Sequence, residues 1–283
     1  MIYIKCLYIY IPNLNQNKGK KIVINPLDVQ AIYNDHLLEI SKQRKKELDK
    51  IRPTDISYYR PSSAGMCSRK IYYETMLRAE PTNTIDKRVR RLFRLGDLLH
   101  QDIQAAFQKI NKSDSYFSIY NIYINNIYTE KEIVLKKIRV RGFLDLLVEV
   151  GGEEGGGKVF LYDIKSIGAF QYKKNFSRMK ERREPSVHQE LQLATYGLWV
   201  EKEYGRLDGM YILYYNKDNS LLRWKEVSSD RLLTALGFWE RINDEHSNSS
   251  LPTLQDEISP VASWECSYCN FKDRCEEDSQ KGL

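Results

Sequence analysis

Asp145, Asp163 and Lys165 are the residues of this chain whose types and spacing could do chemistry on a phosphodiester. Residues two apart on a β-strand share a face. In VFLYDIKS (159–166), Asp163 and Lys165 therefore set a carboxylate beside an ammonium, with Ile164 turned to the core behind them. Asp145 stands in RVRGFLDLLVEV, among Phe143, Leu144, Leu146 and Leu147. Burying a lone carboxylate in so apolar a strand is costly unless something pairs with it. A divalent cation shared with Asp163 would do so, and so would Lys165 alone as a buried ion pair. Hard carboxylate oxygens suit Mg2+ or Mn2+. Such a cation polarises a phosphate and lowers the pKa of its water. Lys165 would orient that water or stabilise charge growing on phosphorus. The D…D-x-K pattern by itself has little specificity.

Other residues sharpen the set. His100 is one of four histidines and follows Gly96 by one helical turn. An imidazole among the ligands would favour Mn2+ over Mg2+. In HQELQLATYGLW (188–199), Gln189, Gln192 and Tyr196 share one helix face, and Leu191, Ala194 and Leu198 share another. Cys266, Cys269 and Cys275 form C-x2-C-x5-C near the C-terminus, and Cys67 stands far upstream in PSSAGMCSRKIYYE. One distant thiol plus a compact trio suits a thiolate metal or cluster site, with Zn2+ as the alternative occupant. Cys6 has no cysteine neighbour and reads as a buried small hydrophobe.

These residues need elements to position them. The chain has 283 residues, 42% hydrophobic and 29% charged, ample for a core without disulfides. Its net charge of +6 suits an acidic partner such as nucleic acid. The apolar start MIYIKCLYIYIP is interrupted by Lys5, ended by Pro12, and reads as a strand rather than a membrane span. With no secretory signal, a cytoplasmic protein with reduced thiols is expected, and no membrane partner. NLNQNKGKK (13–21) reads as a polar loop, and 27–50 as a helix carrying Lys42, Arg44, Lys45, Lys46 and Lys50. Ser62 and Ser63 would cap a short helix through Glu74 that carries Cys67. Residues 86–110 form a helix with Leu92, Leu95, Leu99, Ile103 and Ala106 as its apolar stripe. Strands follow over 115–150, a Gly-rich turn at 151–158 and the D-x-K strand; then a helix at 186–204, strands at 209–216 and 222–228, and a helix at 229–245. That order predicts an α/β (α+β) fold, a mixed sheet flanked by helices.

Taken in order, G-x-x-x-H (Gly96 to His100), G-x-x-D (Gly142 to Asp145), D-x-K (Asp163 to Lys165) and Q-x-x-x-Y (Gln192 to Tyr196) resemble the RecB-like branch of the PD-(D/E)XK nucleases. With Cys67 before these motifs and Cys266, Cys269 and Cys275 after, the chain is similar to the CRISPR-associated iron–sulfur exonucleases. The resemblance spans about residues 58 to 277. It implies a restriction-endonuclease-like domain over 58–283, with 1–57 as an N-terminal extension. It implies that His100, Asp145, Asp163 and the Ile164 carbonyl hold Mg2+ or Mn2+. Lys165 would be the catalytic lysine, and Gln192 and Tyr196 would support the site. Cys67, Cys266, Cys269 and Cys275 would ligate a [4Fe–4S] cluster that staples the C-terminal tail to an N-terminal helix. The implied activity is DNA cleavage, often single-stranded and from an end, in CRISPR adaptation alongside its partner proteins, in repair or recombination, or in viral DNA processing. The competing expectation is a non-catalytic or zinc-stapled nucleic-acid-binding subunit of a larger assembly. Candidate phosphate contacts are Lys173, Lys174, Arg178, Lys180, Arg182 and Arg183, interleaved with Phe170, Tyr172 and Phe176 as stacking rings. Arg88, Arg90, Arg91 and Arg94 form a second basic group.

Overall fold

In the computed structural model, the described residues are 28–51, 57–83, 85–110, 123–151, 157–178, 187–247, 251–252 and 263–281. The expected N-terminal strand, the 13–21 loop and Cys6 lie outside them. Helix α1 (Val29–Ile51) is capped by Asp28, whose Oδ1 accepts the Ala31 N–H at 2.9 Å. A 3₁₀ turn at Pro61–Ser63 precedes α2 (Ser68–Thr75). Ser62 and Ser63 therefore do not cap the helix of Cys67. The chain turns through Gly65, whose φ is +75°, and Cys67 itself is the N-cap residue of α2. Helix α3 (Lys87–Ile110) starts at Asp86, whose Oδ1 accepts the Arg88 and Val89 N–H groups at 2.7 and 3.3 Å.

The sheet runs in the order β1 (Tyr123–Leu135), β2 (Val140–Gly151), β3 (Lys158–Ile167), β4 (Gly209–Asn216) and β5 (Leu222–Val227). All neighbours are antiparallel except β3 and β4, which are parallel. A parallel pair needs a crossover. It is supplied by α4 (Ala169–Asn175) and α5 (Val187–Tyr204), the latter ending at Gly205 with φ +68°. Helix α6 (Asp230–Ser247) packs on α5, and two short helices, α7 (Ser263–Ser267) and α8 (Lys272–Gln280), carry Cys266 and Cys275, with Cys269 between them. The result is the expected mixed α/β sheet flanked by helices.

The core lies between the sheet and α5 and α6. Leu161, Ile212, Leu193, Ala194, Val200, Trp239 and Ile242 are fully enclosed. The Trp239 indole N–H donates to Thr195 Oγ1 at 2.9 Å, and the ring stacks on Tyr59. The C-terminal segment docks on α2. Tyr73 Oη donates to Asp278 at 2.7 Å, Arg69 to the Pro252 carbonyl at 2.7 Å and to Ser279 at 3.0 Å, and the Tyr73 and Phe271 rings pack together. The apolar stripe expected on α3 is not its buried face. Leu92 and Leu95 are each 41% exposed, and the only residue of α3 that is fully buried is Gln104. That helix meets the sheet with a polar side that serves the site below.

Candidate active site

The β2–β3 hairpin brings the two aspartates together. Its register pairs Leu146 with Tyr162, and one further step sets Asp145 opposite Asp163 on the same face. Asp163 is completely buried, and neither carboxylate oxygen makes a hydrogen bond. Lys165 Nζ lies 2.7 Å from Oδ2, an ion pair by distance but misaligned for a hydrogen bond. Burial pushes the Asp163 carboxyl up to about 6, aided by the Asp145 charge and opposed by Lys165. Burial also raises Asp145, opposed first by Lys165 and then by the Ile164 N–H, which donates to Asp145 Oδ2 at 2.7 Å.

His100 joins them from α3, its Nδ1 3.6 Å from Asp145 Oδ2. Gly96, one turn earlier, lets α3 approach β3, since a Cβ there would meet Ser166 Oγ at 3.2 Å. Burial, and then the Lys165 charge, hold His100 below the usual imidazole value, which favours the neutral ring that binds metals. Helix α5 supplies the facing wall. Gln192 Nε2 donates to Tyr196 Oη at 3.3 Å, and Tyr214 Oη donates to Gln189 Oε1 at 2.7 Å. Burial raises the Tyr196 phenol well above its ordinary value, with Asp163 and Asp145 adding to the effect. The structure thus gathers His100, Asp145, Asp163, Lys165, Gln192 and Tyr196 at one place.

Two neighbours escaped the sequence reading. Gln104 Nε2 donates to the Asp145 carbonyl and to Glu130 Oε1, both at 2.9 Å. Gln104 stands one turn after His100, so helical spacing could have found it. Glu130 occupies the β1 position opposite Asp145 in the register and has φ +50°, a left-handed conformation few side chains adopt. No sequence signal marks it until the β1–β2 pairing is known.

A buried carboxylate whose oxygens accept no hydrogen bond, another beside it and a neutral imidazole form a donor set that fits a hard divalent cation. Among the described residues no three such side chains already close around a single point. The same is true of the cysteines, which nevertheless share one neighbourhood. Burial raises the Cys67 thiol, with Cys269 and Cys275 contributing, while the backbone N–H groups of Lys70 and Arg69 point at its sulfur. Burial likewise raises Cys269, whose sulfur accepts the Phe271 N–H at 3.4 Å. Four neighbouring thiols, two of them with backbone N–H groups aimed at sulfur, are a chemistry that fits a thiolate-ligated cluster.

The basic candidates are only partly gathered. Lys173 and Arg178 are exposed, and Lys174 Nζ lies 5.1 Å from the Phe170 ring centroid. Lys180, Arg182 and Arg183 lie outside the described residues. Of the second group, Arg91 is engaged in the fold, donating to Asn34 at 2.6 Å.

No protein of curated function matches the sequence. Two solved structures are similar: SSO0001, with TM-score 0.45, 16% identity, and 86% and 95% of the two chains covered; and a candidate exonuclease from Eubacterium rectale, with TM-score 0.42, 12% identity, and 86% and 93% covered. The family model that describes the PD-(D/E)XK nuclease superfamily matches residues 116–276, a span holding both aspartates, the lysine and the α5 pair. That match covers more than half of the chain, which therefore belongs to the PD-(D/E)XK nuclease superfamily.

Proposed function

We propose that the protein is a metal-dependent deoxyribonuclease of the RecB-like branch that trims single-stranded DNA or DNA ends. The observation that carries this reading is Asp163, fully enclosed, ion-paired to Lys165 at 2.7 Å and abreast of Asp145. Lys165 offsets one charge of this pair of acids, and a divalent cation between Asp163 and Asp145 would offset the rest. His100, Asp145, Asp163 and the Ile164 carbonyl would hold Mg2+ or Mn2+, which supplies an activated water and a polarised phosphate. Lys165 would stabilise negative charge gathering on the phosphate oxygens. Gln192 and Tyr196 would fix the wall against which that phosphate rests. The nuclease domain would span 58–283, with 1–57 as an extension.

Cys67, Cys266, Cys269 and Cys275 would ligate a structural [4Fe–4S] cluster, with zinc as the alternative occupant. The docking of α8 on α2 supports a stapling role. The order of cysteines around the nuclease residues supports kinship with the CRISPR-associated iron–sulfur exonucleases, and spacer acquisition, repair or viral DNA processing as settings. The deciding experiment compares end-labelled with circular single-stranded DNA, with Mg2+ or Mn2+, for wild type, Asp163→Asn and Lys165→Ala. Loss of end-trimming in both variants is expected. Unchanged activity in both refutes the assignment. A brown protein containing iron and acid-labile sulfide supports the cluster, whereas a colourless one with stoichiometric zinc overturns it.

A further inference from the structure

We infer that the corner between α4 and β5 is a subsite for the unpaired strand, in which Arg223 grips a phosphate and Phe170 stacks a base. The inference rests on the nuclease reading above and adds the substrate's path. Strand pairing matches Lys165 with Tyr214 and Tyr214 with Arg223. Directly paired residues point to the same side of a sheet, so these three form a row across β3, β4 and β5. Neighbouring strands are about 4.8 Å apart, so Arg223 stands about 10 Å from Lys165 on the face that holds the aspartates. A strand whose scissile phosphate lies at Lys165 can offer a neighbouring phosphate there.

The charge on this corner is available. Lys225, two residues along the same face of β5, is neutralised by Glu190 at 3.1 Å, which also takes Arg231 at 2.9 Å. Arg223 is exposed, and among the described residues no carboxylate pairs with it. Its guanidinium instead lies over the Phe176 ring, 5.6 Å from the centroid, and Phe176 packs edge-on against Tyr214. At the start of α4, Phe170 is 75% exposed with the Lys174 ammonium 5.1 Å from its ring. Exposed rings flanked by cations are the platform single strands use, because unpaired bases have free faces to stack. Tyr172 Oη, behind Phe176, is buried without a hydrogen-bond partner. Asn175 Nδ2 approaches Tyr214 without hydrogen-bond geometry. Helix α4 is itself fixed, since Asp218 Oδ2 accepts the Ala169 N–H at 2.7 Å.

The test uses the full chain and two substrates. Binding of fluorescein-labelled oligothymidylate is followed by anisotropy in EDTA as salt is raised. Arg223→Gln should weaken it about tenfold and lower the salt slope by about 0.7, one phosphate contact on a single strand. Arg223→Lys should retain the slope. Phe170→Ala should weaken binding roughly 5- to 150-fold with the slope unchanged. Cleavage of thymidine 5′-(p-nitrophenyl phosphate), too short to reach the corner, should be the same in all three variants and wild type. Unchanged affinity and slope in Arg223→Gln, or an equal loss on the small ester, overturns the inference. Wild type that binds the oligonucleotide but cleaves neither substrate refutes the nuclease reading alone. Wild type that does not bind it refutes the subsite.

Discussion

His246 makes the fold acid-labile in a way that can be measured. The ring is 3% exposed at the end of α6. Its Nε2 lies 3.1 Å from the Ser68 carbonyl and its Nδ1 3.1 Å from Tyr59 Oη. The neutral tautomer satisfies both contacts by donating to Ser68 and accepting from Tyr59. Ser68 Oγ also donates to Glu245, so the network joins α2 to α6. Burial lowers the imidazole to about 4 from an ordinary 6.5, against the Ser68 carbonyl and the Glu245 charge. The unfolded chain therefore binds this proton more readily than the folded one. Stability from this residue is complete above about pH 6.5 and is lost as pH falls through the interval to about pH 4. At about 1.4 kcal/mol per pH unit, the interval is worth about 3 kcal/mol. Urea unfolding, followed by tryptophan fluorescence across that interval, measures it. His246→Gln keeps a donor for the Ser68 carbonyl but cannot titrate. Its stability should start below wild type at neutral pH, and the gap should narrow by about 3 kcal/mol toward pH 4. A gap independent of pH would mean that the histidine is already charged in the fold, and would refute the argument.

Other expectations can be checked alongside. Gly142→Ala drives a Cβ to 2.6 Å from the Pro61 ring, which cannot turn aside, and should cost about 1–3 kcal/mol in thermal unfolding. Gly197→Ala meets only the ends of the Leu232, Met210 and Leu207 side chains, and should cost clearly less because its helix gains alanine propensity. Thr195→Val strands the buried Trp239 N–H and should cost about 1–3 kcal/mol by urea titration. Mn2+ at about a hundred times its dissociation constant should add about 2.7 kcal/mol to wild-type stability. Asp163→Asn should lose that metal-dependent shift in melting temperature.

The two strands that carry Asp145 and Asp163 were legible because strand alternation acts locally; the Gly-rich turn expected between them lies mostly outside the described residues. Helices α3, α5 and α6 were legible from their periodicity for the same reason. What α3 buries was not legible. A helix with Leu92 and Leu95 at regular spacing looks as if it should bury them, but tertiary packing turned Gln104 inward to hold Asp145 and Glu130. The start of α2 was also misread, because Gly65 and the 3₁₀ turn separate Ser62 and Ser63 from the helix they seemed fit to cap. Arg223 was invisible as part of the site because only the β3–β4–β5 register aligns it with Lys165.

The connection between β2 and β3 has a practical consequence. It opens after Gly151, six residues beyond Asp145, or about 20 Å along the strand at 3.3 Å per residue. Lengthening that connection leaves the strand positions of both acids untouched, whereas removing one residue within either strand would rotate every later side chain to the opposite side. A fluorophore or affinity peptide inserted there would report on the enzyme at work without disturbing the groups that do the work.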